Sequence, residues 1–237
     1  MSALKTNFSY NKIKEQFEKM VLRYKRKFRI YGWSYKALRW KTEEAMIIRH
    51  QELIKDIDIS GKTILDVGCG FGDIIKTLEQ KAKKEMPTTP RPFQYLGVDV
   101  VTEFINVAKK KYPKYKFSKR NYFEKPFKRN FDIILCCGAL NSNFGEETMC
   151  FRKNAIKTMF KRCNYALSFN MAGSYPPPQN TQNSTIYFAN SLEILKYCLS
   201  LTRKVIFRHH YRRNEFTIVM FKQKNIQTSE TTINKTA

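Results

Sequence analysis

The chain has 237 residues, 42% of them hydrophobic and 14% aromatic, enough for one packed core with additions and too short for a second catalytic domain. Its 44 basic against 20 acidic residues leave a net charge of +24, a balance suited to nucleic acid, anionic lipid or acidic substrates that does not choose among them. No apolar run approaches the roughly 20 residues of a membrane span, the N-terminus lacks a signal-peptide core, and six cysteines without a C-x-x-C pair support neither disulfides nor a zinc site. A cytoplasmic protein with no membrane span and no metal is therefore expected.

From Asn11 to Arg29, apolar Ile13, Phe17, Met20, Val21, Tyr24 and Phe28 recur at three- and four-residue steps, which predicts an amphipathic helix with a basic outer face. Tyr31-Gly32-Trp33 breaks it, and Thr42 is placed to cap a second helix reaching Ile57. A strand over residues 63–67 follows, then a helix over 73–84, a Pro-rich loop over 86–92 and a strand over 94–99. A helix over 102–111 leads to a short strand at 115–118. Phe131 to Cys136 is apolar without alternation, as a strand buried on both faces must be.

A helix over 146–162, a strand over 165–170, a polar loop over 173–185 and a helix over 191–201 come next. The chain closes with strands over 204–209 and 215–221. The turn between them is too short for a parallel crossover, so this pair is antiparallel. These elements predict an α/β fold, a doubly wound, mostly parallel seven-stranded sheet that ends in an antiparallel hairpin. The expected organisation is an N-terminal helical lid over 1–60, the sheet domain over 61–222, and a disordered polar tail over 223–237.

The strand over 63–67 runs into Asp66-Val67-Gly68-Cys69-Gly70-Phe71-Gly72, and Asp99 ends the next strand. Alternating glycines allow a sharp turn with bare backbone facing a ligand, and a carboxylate at the second strand's tip suits a ribose diol. Position 73 is Asp where a dinucleotide fingerprint needs a small residue. Asp66 and Asp73 beside a helix N-terminus repel a pyrophosphate and favour a cation.

The pattern resembles the first motif of class I, Rossmann-like S-adenosylmethionine-dependent methyltransferases. That resemblance implies S-adenosylmethionine as cofactor, with Asp66, Gly68, Cys69, Gly70 and Gly72 at its methionine end and Asp99 at its ribose. It also implies Val100 against adenine, Asn121 and Tyr122 at the adenine edge, and Cys137, with Gly138 and Ala139, near the reactive methyl. Methyl transfer depends on alignment, so no catalytic triad is required. Candidates to orient or deprotonate an acceptor are Asn141, Tyr187 and His209, with Tyr175 and Tyr211 nearby in sequence; Arg49 could pair with the cofactor carboxylate.

The segment after the fourth strand reads Cys136-Cys137-Gly138-Ala139. It lacks the Asn/Asp-Pro-Pro-Tyr motif of amine methylation on adenine, and the chain has no Pro-Cys or Thr-Cys for attack on cytosine. The implied acceptor is an oxygen or nitrogen of a small metabolite, and the basic balance leaves room for an acidic one. Two alternatives stay open, an RNA methyltransferase that uses the basic surface and a non-catalytic cofactor-binding subunit. Non-specific binding of nucleic acid is expected from the charge in any case.

Overall fold

The computed structural model describes residues 9–90, 92–179 and 184–223. A 3-10 turn over Tyr10–Ile13 leads into helix α1 (Lys14–Tyr31), which stops at Gly32, and α2 spans Glu43–Ile54. Strand β1 (Lys62–Val67), helix α3 (Ile74–Glu85), β2 (Phe93–Asp99), α4 (Thr102–Lys111), β3 (Lys116–Lys119) and β4 (Phe131–Cys136) follow. The rest comprises α5 (Thr148–Arg162), β5 (Cys163–Ser174), β6 (Ala189–Asn190), α6 (Ser191–Leu201), β7 (Val205–Arg208) and β8 (Glu215–Phe221).

The sheet runs β3-β2-β1-β4-β5-β8-β7, with β6 paired to the end of β5 off that path. β1 through β5 are parallel, whereas β8 is antiparallel to both β5 and β7, as the short terminal hairpin required. Strand order reverses between β1 and β4, which opens a crevice beyond their carboxyl ends, the place where such sheets hold ligands.

Two apolar layers sandwich the sheet. Ile134 and Cys136 of β4 point into a core with α1, α5 and α6, while Ile133 and Leu135 point into the core under α2, α3 and α4. Burial on both faces is why this strand shows no alternation. The 3-10 turn contributes Ile13 and helix α1 contributes Phe17 and Met20 to the first core, so the N-terminal segment is packed as part of the domain.

Several boundaries moved. Thr42 does cap α2, its hydroxyl accepting from the Ala45 N–H at 3.1 Å, yet the helix ends at Ile54. β5 extends four residues past the expected 170 because its pairing with β8 continues to Ala172 and β6 then takes Gly173 and Ser174. A two-residue strand such as β6 carries no pattern to find. Residues 224–237, most of the expected polar tail, lie outside the described residues.

Candidate functional site

The turn after β1 is built by backbone hydrogen bonds. Gly68 and Cys69 both donate N–H to the Val98 carbonyl, at 2.8 and 3.0 Å, fastening the turn to β2. Gly68 has φ +77°, and a Cβ there would stand 2.6 Å from the Ala139 methyl, so only glycine lets the β1 and β4 termini meet this closely. Asp99 clamps the same turn, its Oδ2 accepting from the Gly70 N–H at 3.0 Å and its Oδ1 from the Val101 N–H at 2.9 Å. Each oxygen keeps a lone pair for a ligand.

Asp66 is 2% exposed. Its Oδ2 accepts from the Tyr95 hydroxyl at 2.7 Å, and its Oδ1 has no partner in a wall that faces a cavity. Burial, added to by Asp99 and Asp73 and opposed by the Tyr95 hydrogen bond, pushes its pKa up to about 7. Burial likewise raises Asp99, against the pull of the Val101 and Gly70 N–H groups. Asp73 is compensated by Lys111 at 2.5 Å. An orphaned, reluctantly ionised carboxylate beside an open backbone turn fits the ammonium of an amino-acid-bearing nucleoside, and it opposes an anionic pyrophosphate.

These residues line a cavity of about 620 Å³ over the crevice. Its floor is the β1, β2 and β4 termini, including Gly68, Cys69, Gly70, Val100, Cys137 and Gly138. Phe17, Met20 and Tyr24 of α1 and the segment Leu38-Arg39-Trp40 wall it from above. Trp40 packs so closely on Gly138 that a Cβ at that glycine would lie 2.7 Å from the indole. The Arg49 guanidinium stacks 4.6 Å from the Trp40 ring and pairs with Glu215 at the start of β8, so its charge is met within the protein.

The other sequence candidates divide. Asn121 and Tyr122 reach the cavity; the Asn121 amide donates to the Tyr10 hydroxyl at 2.7 Å, and Tyr122 is 2% exposed with its hydroxyl unpartnered. Gly72 lies outside the wall, packed toward Phe117. Asn141 reaches the cavity while its Oδ1 accepts from the Ala172 N–H at 2.8 Å, joining the β4 and β5 ends. Tyr187 and His209 do not line it: the Tyr187 ring lies 5.1 Å from the Arg152 guanidinium, and His209 packs on Phe207 in the hairpin. Tyr175 is solvent-exposed, whereas Tyr211 is in the wall with its hydroxyl 2.9 Å from that of Thr217. Burial raises the pKa of the Cys69 and Cys137 thiols, which keeps them protonated wall groups.

Sequence reasoning missed Trp40, Arg39 and His50. His50 is 5% exposed, lines the cavity and has no hydrogen-bond partner among the described residues; burial first, and Arg49 second, push its pKa down to about 3, so it is a neutral imidazole. Among the described residues no group of His, Cys, Asp and Glu could hold a metal, and no helix is long and apolar enough to cross a membrane.

Residues 58–174 match a family model described as a methyltransferase domain. Among solved structures, magnesium protoporphyrin IX methyltransferase (ChlM) from Synechocystis with bound SAM is similar over 92% of this chain and 100% of its own, at 14% identity and a TM-score of 0.58. The DhpI-SAM-HEP complex is similar over 90% of this chain and 99% of its own, at 11% identity and a TM-score of 0.58. N-methyltransferase NodS from Bradyrhizobium japonicum, in complex with S-adenosyl-l-homocysteine, covers 76% of this chain and 87% of its own, at 14% identity and a TM-score of 0.53. At such identities the likeness is one of fold. No curated protein matches the sequence.

Proposed function

We propose that this chain, whose residues 58–174 are a methyltransferase domain, moves a methyl group from S-adenosylmethionine to an oxygen or nitrogen of a small metabolite. The observation that supports a small acceptor is the walling of the space beyond the glycine turn by α1 and Trp40, into which the reacting group has to reach.

The cofactor supplies a methyl carbon activated by positive sulfur, with a neutral thioether as leaving group. What remains for the protein is alignment and exclusion of water. Asp66 would hold the ammonium through its free oxygen, and Asp99 the ribose hydroxyls through its remaining lone pairs. Val100 and Tyr122 offer apolar surface for a purine, and Asn121, steadied by Tyr10, offers an amide at its edge. Cys137 and Gly138 leave a small-walled space where acceptor and methyl can meet, and Asn141 holds that wall to β5.

Asp66 makes binding pH-dependent. In the free protein its folded pKa of about 7 exceeds its unfolded value, so the folded state binds more protons between about pH 4 and 7 and stability falls as pH rises through that window. A bound ammonium reverses the preference by favouring the carboxylate. Affinity for S-adenosylhomocysteine is therefore expected to rise between about pH 6 and 7.5, and Asp66→Asn to flatten that rise; calorimetry across pH checks it. Equal slopes in both proteins would take Asp66 out of the site.

The N-terminal residues 1–60, described from residue 9, act as a lid in this reading. Ligand binding is expected to slow amide exchange across α1 and residues 33–41 far more than across α6, which lies away from the cavity. Unchanged exchange in α1 would make it a structural addition only.

The net charge of +24 favours a second reading, methylation of RNA held on the basic surface. Incubating the purified protein with labelled cofactor and separate RNA, protein and small-metabolite extracts decides between them. Label is expected in the small-metabolite fraction; label in RNA would replace this reading with the second.

A further inference from the structure

Charge in the cavity wall is uneven, with Arg120 beside the acidic end and Glu215 within the basic one. Asp66, Asp73 and Asp99 surround the glycine turn, whereas Arg39, Lys41, Arg49, Arg212 and Arg213 lie on the segment before α2, on α2, and in the turn between β7 and β8. A chain of contacts joins those basic elements into one wall: Arg49 stacks on Trp40 and pairs with Glu215, whose other oxygen lies 3.2 Å from Arg212 Nε. That single carboxylate is thus shared by two guanidiniums. Arg39, Lys41 and Arg213 have no carboxylate partner among the described residues.

Two further features mark this wall as built for a ligand. Arg39 sits at φ 65°, the one non-glycine residue in the left-handed region among the described residues, and its guanidinium reaches the Thr185 hydroxyl at 2.6 Å, bracing the segment against the loop before β6. His50, next to Arg49 in the same wall, is a largely buried imidazole that lines the cavity.

We propose that the methyl acceptor is a small oxyanion with an apolar body, a carboxylate or a phosphate ester, seated in this half of the cavity; the assignment rests on the methyltransferase reading above. Arg39, Lys41 and Arg213 meet its negative group, Trp40 and Met46 pack on its apolar body, and His50 gives it a neutral hydrogen-bonding partner. Arg39 is half-buried and Lys41 and Arg213 are exposed at the cavity's edge, so the three add their attraction for an oxyanion at one place.

The test uses the full chain saturated with S-adenosylhomocysteine, with benzoate, phenyl phosphate, benzamide and benzylamine as probes, their binding read by ligand-observed NMR titration. At least one of the two anions is expected to bind about tenfold or more tighter than neutral benzamide, with benzylamine weakest. Which anion leads separates carboxylate from phosphate recognition. The variant K41Q/R213Q, likewise saturated with S-adenosylhomocysteine, should lose the preference. Benzamide binding as tightly as the anions, a preference that survives in the variant, or no binding of any probe would overturn the proposal. Failure of the wild-type protein to bind S-adenosylhomocysteine would instead strike the methyltransferase reading, so the two failures are distinguishable.

Discussion

Asp99→Ala is expected to weaken S-adenosylmethionine binding by about ten- to a hundredfold. The carboxylate's contact with ribose hydroxyls is charge-assisted, worth on the order of 1.5 to 3 kcal/mol. The variant loses more than that contact, because Asp99 also accepts from the Gly70 and Val101 N–H groups and so holds the turn that the ligand approaches. Asp99→Asn retains one acceptor oxygen and should fall between wild type and alanine. Calorimetric titration of the three proteins at a temperature where all are folded measures the order, and equal affinities would remove Asp99 from the site.

The second large effect is on stability. Arg152 is fully buried in α5, its Nε donating to the Leu140 carbonyl at 2.7 Å and its Nη2 to the Tyr187 carbonyl at 2.8 Å. One side chain thereby fixes both the segment after β4 and the strand-like stretch before β6, the two irregular pieces that border the cavity. Burial pushes its pKa down to about 9, yet it remains charged at neutral pH. Arg152→Ala leaves two buried carbonyls without donors and a large void, and a loss of about 3 to 5 kcal/mol is expected. Arg152→Lys cannot span both carbonyls and should recover less than half. Denaturant unfolding of the variants checks this; a change under about 1 kcal/mol would mean that the two segments are held by other contacts.

The parts of the fold that were legible in the chain are those written in short-range pattern. Gly68 and Gly70 announce their turn because few residues tolerate that backbone, Asp99 because a carboxylate ends an apolar strand, and the unalternating run in β4 reflects burial on both faces. The terminal hairpin followed from loop length alone. By contrast, the upper wall of the cavity is assembled from segments far apart in sequence, and nothing local says that Trp40 will lie on Gly138 or that Arg39 will reach Thr185.

His50 and Arg152 did leave a trace. Ala45, Met46, Arg49, His50 and Leu53 form the buried face of α2, and Phe151, Arg152, Ala155, Ile156 and Met159 that of α5. A polar residue within such an apolar stripe signals a buried group that needs a partner. Tyr187 and His209 carried suitable chemistry, but the stretch before β6 turns one ring toward Arg152 and the hairpin turns the other toward Phe207.

The account stands on the cavity holding a cationic nucleoside between Asp66 and Asp99. The most direct measurement is a calorimetric titration of the full 237-residue chain near pH 7.5 with S-adenosylmethionine, and separately with NAD. The expected result is saturable binding of S-adenosylmethionine at one site per chain, abolished by prior addition of S-adenosylhomocysteine, with no heat from NAD. Saturable binding of NAD, or no binding of S-adenosylmethionine by the folded protein, would contradict it.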